Sequence, residues 1–237
     1  MKKNNFPSES GTKSRRTRNR SQLKKNNFPV ESGTRITINP RGKKEFTLQL
    51  RYPEWIEAGA LQIRVNGKAV PAAAKDGYVP VSRRWKKGDK VEVTLPMEIR
   101  TEQLPDHSHY YSFLYGPLVL AAQTGIEDQD GLFADDSRGG HIAHGRQVPL
   151  RNMPLVVGNP DQLASLVTPV TGKPLTFHLS SLYPEAYGAG MELIPFSSLH
   201  ASRYIIYFPQ ATAAEAEKIR LKMEQEETKL LQLDTIR

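Results

Sequence analysis

The feature that most limits the folds open to this chain is its strict alternation of apolar and polar residues, broken by short turn signals. RITI (Arg35–Ile38), FTLQLRY (Phe46–Tyr52) and LQIRV (Leu61–Val65) alternate with period two, as half-buried strands do. Asn66-Gly67 follows the third run, and Asp76-Gly77 comes before a fourth run, YVPVS (Tyr78–Ser82). Both dipeptides favour tight hairpin turns. Short strands joined by such turns predict an antiparallel β-sandwich.

The pattern continues beyond these runs. KKGD (Lys86–Asp89) predicts another turn, KVEVTL (Lys90–Leu95) an alternating strand, and YYSFLYGPLVLAAQTG (Tyr110–Gly125) further strand and turn. We therefore assign residues 35–124 to a β-sandwich domain and place a domain boundary near residue 125.

A second β-rich accessory domain is predicted over residues 125–210. Residues 125–160 are rich in Gly and Asp and have no periodicity, which indicates loops. Strands are predicted to resume in four runs: SLVTPV (Ser165–Val170), PLTFHLS (Pro174–Ser180), MELIPF (Met191–Phe196) and RYIIYF (Arg203–Phe208). RYIIYF is apolar on both faces apart from its Arg, as in a buried central strand.

Residues 211–237 are predicted to form a C-terminal helix. Thr212 and Glu215 have the spacing of a capping box. Apolar residues then recur at roughly helical spacing: Ile219, Met223, Leu230 and Leu233. No Gly or Pro ends the helix, and we expect that the chain is cut there. The predicted class is thus all-β: an antiparallel β-sandwich, a second mostly-β region and one C-terminal helix.

The N-terminal 34 residues differ in character from the rest. They hold nine Lys/Arg and two Glu, a net charge of +7 out of +8 for the whole chain. KKNNFPSESGT (Lys2–Thr12) recurs as KKNNFPVESGT (Lys24–Thr34) with one difference, and KSRRTRNRSQL (Lys13–Leu23) lies between the copies. A polar, basic segment can bury little, so we predict a disordered arm that carries a local duplication. A basic arm that binds nucleic acid is a weaker alternative, because the arm has no clustered aromatic residues.

Cysteine is absent from the sequence, which excludes disulfides, thiolate metal sites and Cys nucleophiles. No apolar stretch approaches the roughly 18 residues of a membrane span. Residues 1–34 contain no apolar segment of the kind that a secretory signal requires. The sequence therefore predicts neither a membrane partner nor a signal peptide, and it leaves the compartment open.

An ordered series of segments resembles the C-terminal β-sandwich of the β-L-arabinofuranosidase family, glycoside hydrolase family 127 (GH127) and its relatives. The segments are LRYPEW, IRVNGK, GYVPVSRRWKKGDKVEVTLPM and FLYGPLVLA, and LIPFSSLHASRYIIYF resembles the accessory domain that follows the sandwich. The resemblance covers roughly residues 34–237 and excludes the arm. It implies that a catalytic (α/α)₆ barrel, with a Glu, a Cys nucleophile and zinc-binding Cys residues, belongs to the parent enzyme and is missing here.

No catalytic residue, metal site or cofactor is therefore predicted for this chain, although the parent family uses zinc in the barrel. The expected partner is that barrel, in enzymes that degrade plant-type glycans and are often bacterial and periplasmic or secreted. A sandwich without its barrel is expected to expose an apolar face and to self-associate.

The residue types are also compatible with two other kinds of site. Trp55, Trp85 and Tyr78, together with Tyr52, could form an aromatic platform that stacks on a sugar, as in a carbohydrate-binding module. Packing in the core or between domains is the favoured interpretation, because Trp55 and Trp85 each border an apolar strand. Acidic and His residues of the Gly-rich loop could act as acids or metal ligands, but solvated turn residues are the simpler interpretation: Asp128, Asp130, Asp135, Asp136, His141 and His144.

Overall fold

The computed structural model describes residues 28–126, 153–200, 202–222 and 225, and the backbone of residues 20–25. These residues form two compact units that divide between Leu95 and Pro96. The sequence pattern placed the boundary near residue 125. The units divide earlier because the strands that follow Pro96 pair with strands near the end of the chain.

Seven strands are described in the first unit. They are β1 (Arg20–Lys25), β2 (Gly33–Asn39), β3 (Lys44–Arg51), β4 (Gln62–Val65), β5 (Lys68–Val70), β6 (Tyr78–Trp85) and β7 (Asp89–Thr94). One antiparallel sheet has five strands in the order β1-β2-β7-β4-β5, and β3 pairs with β6 in a separate two-stranded ribbon. The predicted strand runs of this unit are confirmed.

The hairpin turns are built as their sequences predict. Asn66 and Gly67 have φ angles of 52° and 80°, and Asp76 and Gly77 have 51° and 76°. Consecutive left-handed residues match the twist of the strands that they join, and Asn, Asp and Gly adopt this conformation at low cost. These turns fix the register, so Val65 lies opposite Lys68 across the first of them.

Both sheets of the first unit contribute to one apolar core. The five-stranded sheet supplies Ile63 and Val91, and the ribbon supplies Val81 and Trp85, all of them buried. β4 and β6 alternate buried and more exposed residues, because successive side chains of a strand point to opposite faces. Two sheets with a shared interior form the predicted sandwich.

Part of the predicted disordered arm belongs to this unit. β1 lies within the segment predicted to be disordered, and it pairs antiparallel with β2 from Arg20 opposite Asn39 to Lys25 opposite Arg35. The prediction was wrong for these residues because a strand at a sheet edge needs backbone partners more than buried side chains. Residues 1–19 and 26–27 lie outside the described residues.

The described residues of the second unit form ten strands and three short 3₁₀ segments. The strands are β8 (Ile99–Gln103), β9 (Tyr110–Tyr115), β10 (Leu118–Gly125), β11 (Leu155–Val157), β12 (Val167–Pro169), β13 (Phe177–Leu179), β14 (Leu182–Tyr183), β15 (Met191–Pro195), β16 (Arg203–Ile205) and β17 (Phe208–Ala211). The 3₁₀ segments are Pro160–Leu166, Glu185–Tyr187 and Phe196–Ser198. The strands join in one ten-stranded sheet in which β10 and β9 lie next to each other near the middle.

RYIIYF is not one central strand. The run divides into β16, which pairs with β10, and the start of β17, which pairs with β9. Ile205 and Phe208 are buried, whereas Tyr204 and Tyr207 are 49% and 45% exposed. An apolar run cannot show by itself that the chain passes from one neighbour to another, so the prediction of a single buried strand was wrong.

The C-terminal helix begins at its predicted cap. The Thr212 hydroxyl and backbone N–H both donate to the Glu215 carboxylate, at 2.7 and 2.8 Å, and residues 213–222 and 225 are helical. The predicted apolar positions Met223, Leu230 and Leu233 lie outside the described residues. None of the helices in the part of the chain that the structure describes has the length and apolar character that a membrane crossing requires.

We predict that Trp85→Ala lowers the free energy of unfolding of the first unit by about 3–5 kcal/mol, because it leaves a cavity in a closed core. Urea unfolding followed by circular dichroism measures the change. Tyr78→Ala on the same strand is the matched control, since Tyr78 is 45% exposed and its loss should change stability by about 0.5 kcal/mol or less. Equal losses in the two variants would contradict the assignment of Trp85 to the core.

Candidate functional site

Trp85 cannot take part in a sugar-binding platform. Its side chain is 0% exposed, and its indole N–H donates to the Phe46 carbonyl oxygen at 2.9 Å. The Phe46 ring stacks on it with centroids 5.7 Å apart, and the Arg83 guanidinium lies 5.3 Å from the ring centroid. Of the two interpretations of Trp85, the structure therefore favours packing in the core, because the ring and its N–H are engaged inside the protein.

Trp55 lies in the segment between β3 and β4 and is half-buried. It packs against the core of the first unit, and the Phe28 ring stacks on it with centroids 6.3 Å apart and an interplanar angle of 22°. Tyr52 lies nearby in sequence; its hydroxyl accepts from Gly59 N at 2.9 Å and donates to the Glu57 carbonyl at 3.1 Å. Both rings thus hold the loop after β3 in place.

Tyr78 is exposed, on the face of the ribbon opposite Trp85. It lies at the start of β6 opposite Arg51 of β3, whereas Trp85 points into the core from the end of the same strand. Positions seven residues apart on a strand face opposite sides. The three aromatic residues therefore do not share one surface: Tyr78 is exposed, Trp55 is half-buried and Trp85 is fully buried.

The sequence analysis missed a pair of exposed aromatic rings in the second unit. Phe196 and Tyr204 are 39% and 49% exposed, and their ring centroids lie 4.8 Å apart. The pairing of Tyr204 with Gln123, an exposed residue of β10, sets it on the outer face of the sheet. The sequence signal was present in RYIIYF, but the expectation of a buried central strand concealed it.

A polar cleft of about 350 Å³ opens where β2 begins and β7 ends. Arg35 and Glu92 face each other across these strands and form an ion pair at 2.6 Å. The Thr34 hydroxyl beside them is buried without a hydrogen-bond partner among the described residues. The cleft offers one ion pair and one hydroxyl, which is a polar surface but no set of reacting groups.

The loop carboxylates and His residues that were weighed as acids or metal ligands lie outside the described residues: Asp128, Asp130, Asp135, Asp136, His141 and His144. Among the residues that the structure describes, no three His, Asp or Glu side chains are placed to hold a metal ion.

Asp89 is a buried carboxylate whose hydrogen bonds give it a structural role. Its Oδ2 accepts from Lys86 N at 2.8 Å and its Oδ1 from Asn66 Nδ2 at 3.0 Å, while Asn66 Oδ1 accepts from Lys90 N at 2.8 Å. Burial alone would raise the pKa of Asp89, but these hydrogen bonds and the positive charges of Arg83 and Lys86 lower it below the ordinary value of 3.8. The carboxylate therefore joins the β4–β5 and β6–β7 turns.

Two family models match adjacent parts of the chain. Residues 6–97 match the "Beta-L-arabinofuranosidase, GH127 middle domain", and residues 100–210 match DUF4986, a domain of unknown function. The division between the two matches falls beside the division between the two compact units at Leu95 and Pro96. The resemblance was expected to begin near residue 34, but the first match includes most of the N-terminal arm.

Two solved GH127 enzymes share this fold. A GH127 β-L-arabinofuranosidase from Geobacillus stearothermophilus T6 is 18% identical with a TM-score of 0.52, and the match covers 79% of this chain and 30% of that enzyme. A second GH127 β-arabinofuranosidase is 21% identical with a TM-score of 0.52, and the match covers 79% of this chain and 31% of that enzyme. The chain thus spans less than a third of the length of either enzyme. A comparison with curated proteins found no match.

We predict that Asp89→Asn destabilises the first unit by about 1–3 kcal/mol at pH 7, because it removes a charged acceptor of two hydrogen bonds. A carboxyl with a lowered pKa stabilises the fold above its unfolded pKa, and this contribution is lost as the pH falls through the folded pKa. The difference between parent and variant, measured by urea unfolding, should therefore shrink below about pH 4.

Asp76→Asn is the control for this prediction, because it changes an exposed turn carboxylate and keeps a residue that tolerates positive φ. Its free energy of unfolding should stay within about 0.5 kcal/mol of the parent at every pH. A difference between Asp89→Asn and the parent that is independent of pH would show that the charge of Asp89 contributes nothing.

Proposed function

We propose, from the match of residues 6–97 to the GH127 middle domain, that this chain is a non-catalytic β-sandwich portion of a β-L-arabinofuranosidase-like glycoside hydrolase. Two observations support the proposal. The two family matches follow each other in one chain and coincide with its two compact units. The fold is shared with about 30% of each of two GH127 enzymes, which leaves most of each enzyme unmatched.

The chemistry of the residues favours a structural role for this chain over a catalytic one. The resemblance implies a thiolate nucleophile and thiolate zinc ligands, and this sequence contains no cysteine. Retaining hydrolysis by carboxylates would need two of them about 5–5.5 Å apart around a sugar. Glu31 and Glu92 both line the cleft of the first unit, but Glu92 is engaged by Arg35. The reacting groups are therefore supplied by the barrel of the parent enzyme, which acts in the degradation of plant-type glycans.

The expected result with an aryl β-L-arabinofuranoside is no turnover by the purified chain, because the chain lacks the nucleophile and the zinc ligands. Release of the aryl alcohol is followed spectrophotometrically, and the full-length Geobacillus stearothermophilus enzyme is assayed in parallel as the positive control. Hydrolysis that rises in proportion to the concentration of this chain would contradict the proposal.

The partner of this portion is the catalytic barrel, and an isolated sandwich region would expose the face that the barrel covers. The exposed rings of Phe196 and Tyr204 form an apolar pair on the second unit. Exposed apolar surface of this kind promotes association when its partner is missing. Self-association of the isolated chain follows from the same proposal.

Light scattering coupled to size-exclusion chromatography should show concentration-dependent association of the chain, and Tyr204→Ser should weaken it because it removes one ring of the exposed pair. Tyr78→Ser is the matched control, since Tyr78 is equally exposed but has no aromatic neighbour in the described contacts. A monomer at all concentrations that binds no hydrophobic dye would contradict the prediction.

A further inference from the structure

The second copy of the duplicated segment has a defined place in the fold. The Phe28 ring stacks on Trp55 with centroids 6.3 Å apart. Four residues later, the Ser32 carbonyl accepts a hydrogen bond from Leu95 N at 2.6 Å. Gly33 then opens β2 opposite Thr94 of β7. The contacts that attach the loop before β2 to the first unit thus include this ring pair and this backbone hydrogen bond.

The first copy repeats these attachment groups. Phe6 corresponds to Phe28 and Ser10 to Ser32, and the intervening residues are the same at all but one position. That position is Val30, which is 59% exposed, and the first copy has Ser8 there. A serine at a site that faces solvent costs nothing on docking. The stretch from Phe6 to Ser10 therefore repeats the aromatic ring and the carbonyl through which the second copy makes these two contacts.

The equivalence ends where β2 enters the core. Ile38 is 3% exposed and Ile36 packs against the same core. After the first copy, Arg16 stands at the position that corresponds to Ile38, and Ser14 at the position that corresponds to Ile36. Burying an unpaired guanidinium in an apolar core is strongly unfavourable. The first copy can therefore replace the loop but not the strand.

We propose that Trp55 is a docking surface with two ligands in the same chain, and that Phe6–Ser10 occupies it whenever the contact of Phe28 is lost. Phe28 is five residues from the start of β2 at Gly33, whereas Phe6 is 14 residues from the start of β1 at Arg20. Because a longer loop costs more entropy to close, the second copy is favoured by a factor of about five. The second copy is the resident ligand and the first is a reserve. This competition is independent of the proposed enzyme family.

The test uses the full chain and three variants: Phe28→Ala, Phe6→Ala and the double variant. Acrylamide quenching of tryptophan fluorescence reports how well Trp55 is covered, because the other tryptophan, Trp85, is 0% exposed and contributes a constant signal. A Trp55→Phe variant gives that constant signal for subtraction. Neither Phe28 nor Trp55 is among the fully buried residues of the core against which Trp55 packs, so the variants at these two positions should fold.

We expect Phe6→Ala to leave quenching unchanged, because the resident copy remains docked. Phe28→Ala should raise the quenching of Trp55 by less than half of the rise in the double variant, since Phe6 takes over the ring. The melting temperature should follow the same non-additive order, and the order should vanish in a Trp55→Ala background.

Three results would overturn the proposal. Equal quenching in Phe28→Ala and the double variant would show that the first copy does not dock. A rise in Phe6→Ala alone as large as in Phe28→Ala would show that the second copy is not the resident ligand. A difference in melting temperature between Phe28→Ala and the double variant that persists in the Trp55→Ala background would show that Phe6 acts elsewhere.

Discussion

The burial of Trp85 between two sheets is the interaction on which the first unit depends. A two-stranded ribbon is at best marginally stable alone in water, so β3 and β6 need a second layer. Trp85 is fully buried, its N–H is satisfied by the Phe46 carbonyl, and Phe46 covers its ring. The large side chain therefore joins the ribbon to the five-stranded sheet and leaves no polar group unpaired.

The turns and the loop before β2 complete that arrangement. The Asp89 carboxylate bonds to Asn66 and to Lys86 N, so two hairpin ends are held at fixed positions next to the core. Phe28 covers Trp55 in the same unit. Tryptophan, a residue type that can stack on sugars, is thus used in this unit for packing.

The second unit depends on contacts between residues far apart in sequence. β9 pairs with β17 and β10 with β15 and β16, which brings Tyr111 next to Phe208 and Leu120 next to Pro195. These pairings explain why the chain divides after Leu95 rather than near residue 125. They also agree with the second family match, which begins at residue 100.

The sequence by itself determined the all-β class, the strands β2, β3, β4, β6 and β7, the left-handed turns at Asn66 and Asp76, and the Thr212–Glu215 cap. Each follows from local physics: the two-residue period of a strand, the φ angles that Asn, Asp and Gly tolerate, and the reach of a side chain over one helical turn. Only the tertiary structure decided which aromatic residues are buried, where the units divide, and that RYIIYF becomes two strands. The reason is physical, because burial and strand pairing depend on the partner that the rest of the chain provides, and period-two alternation shows that a strand has two faces without showing what covers either of them.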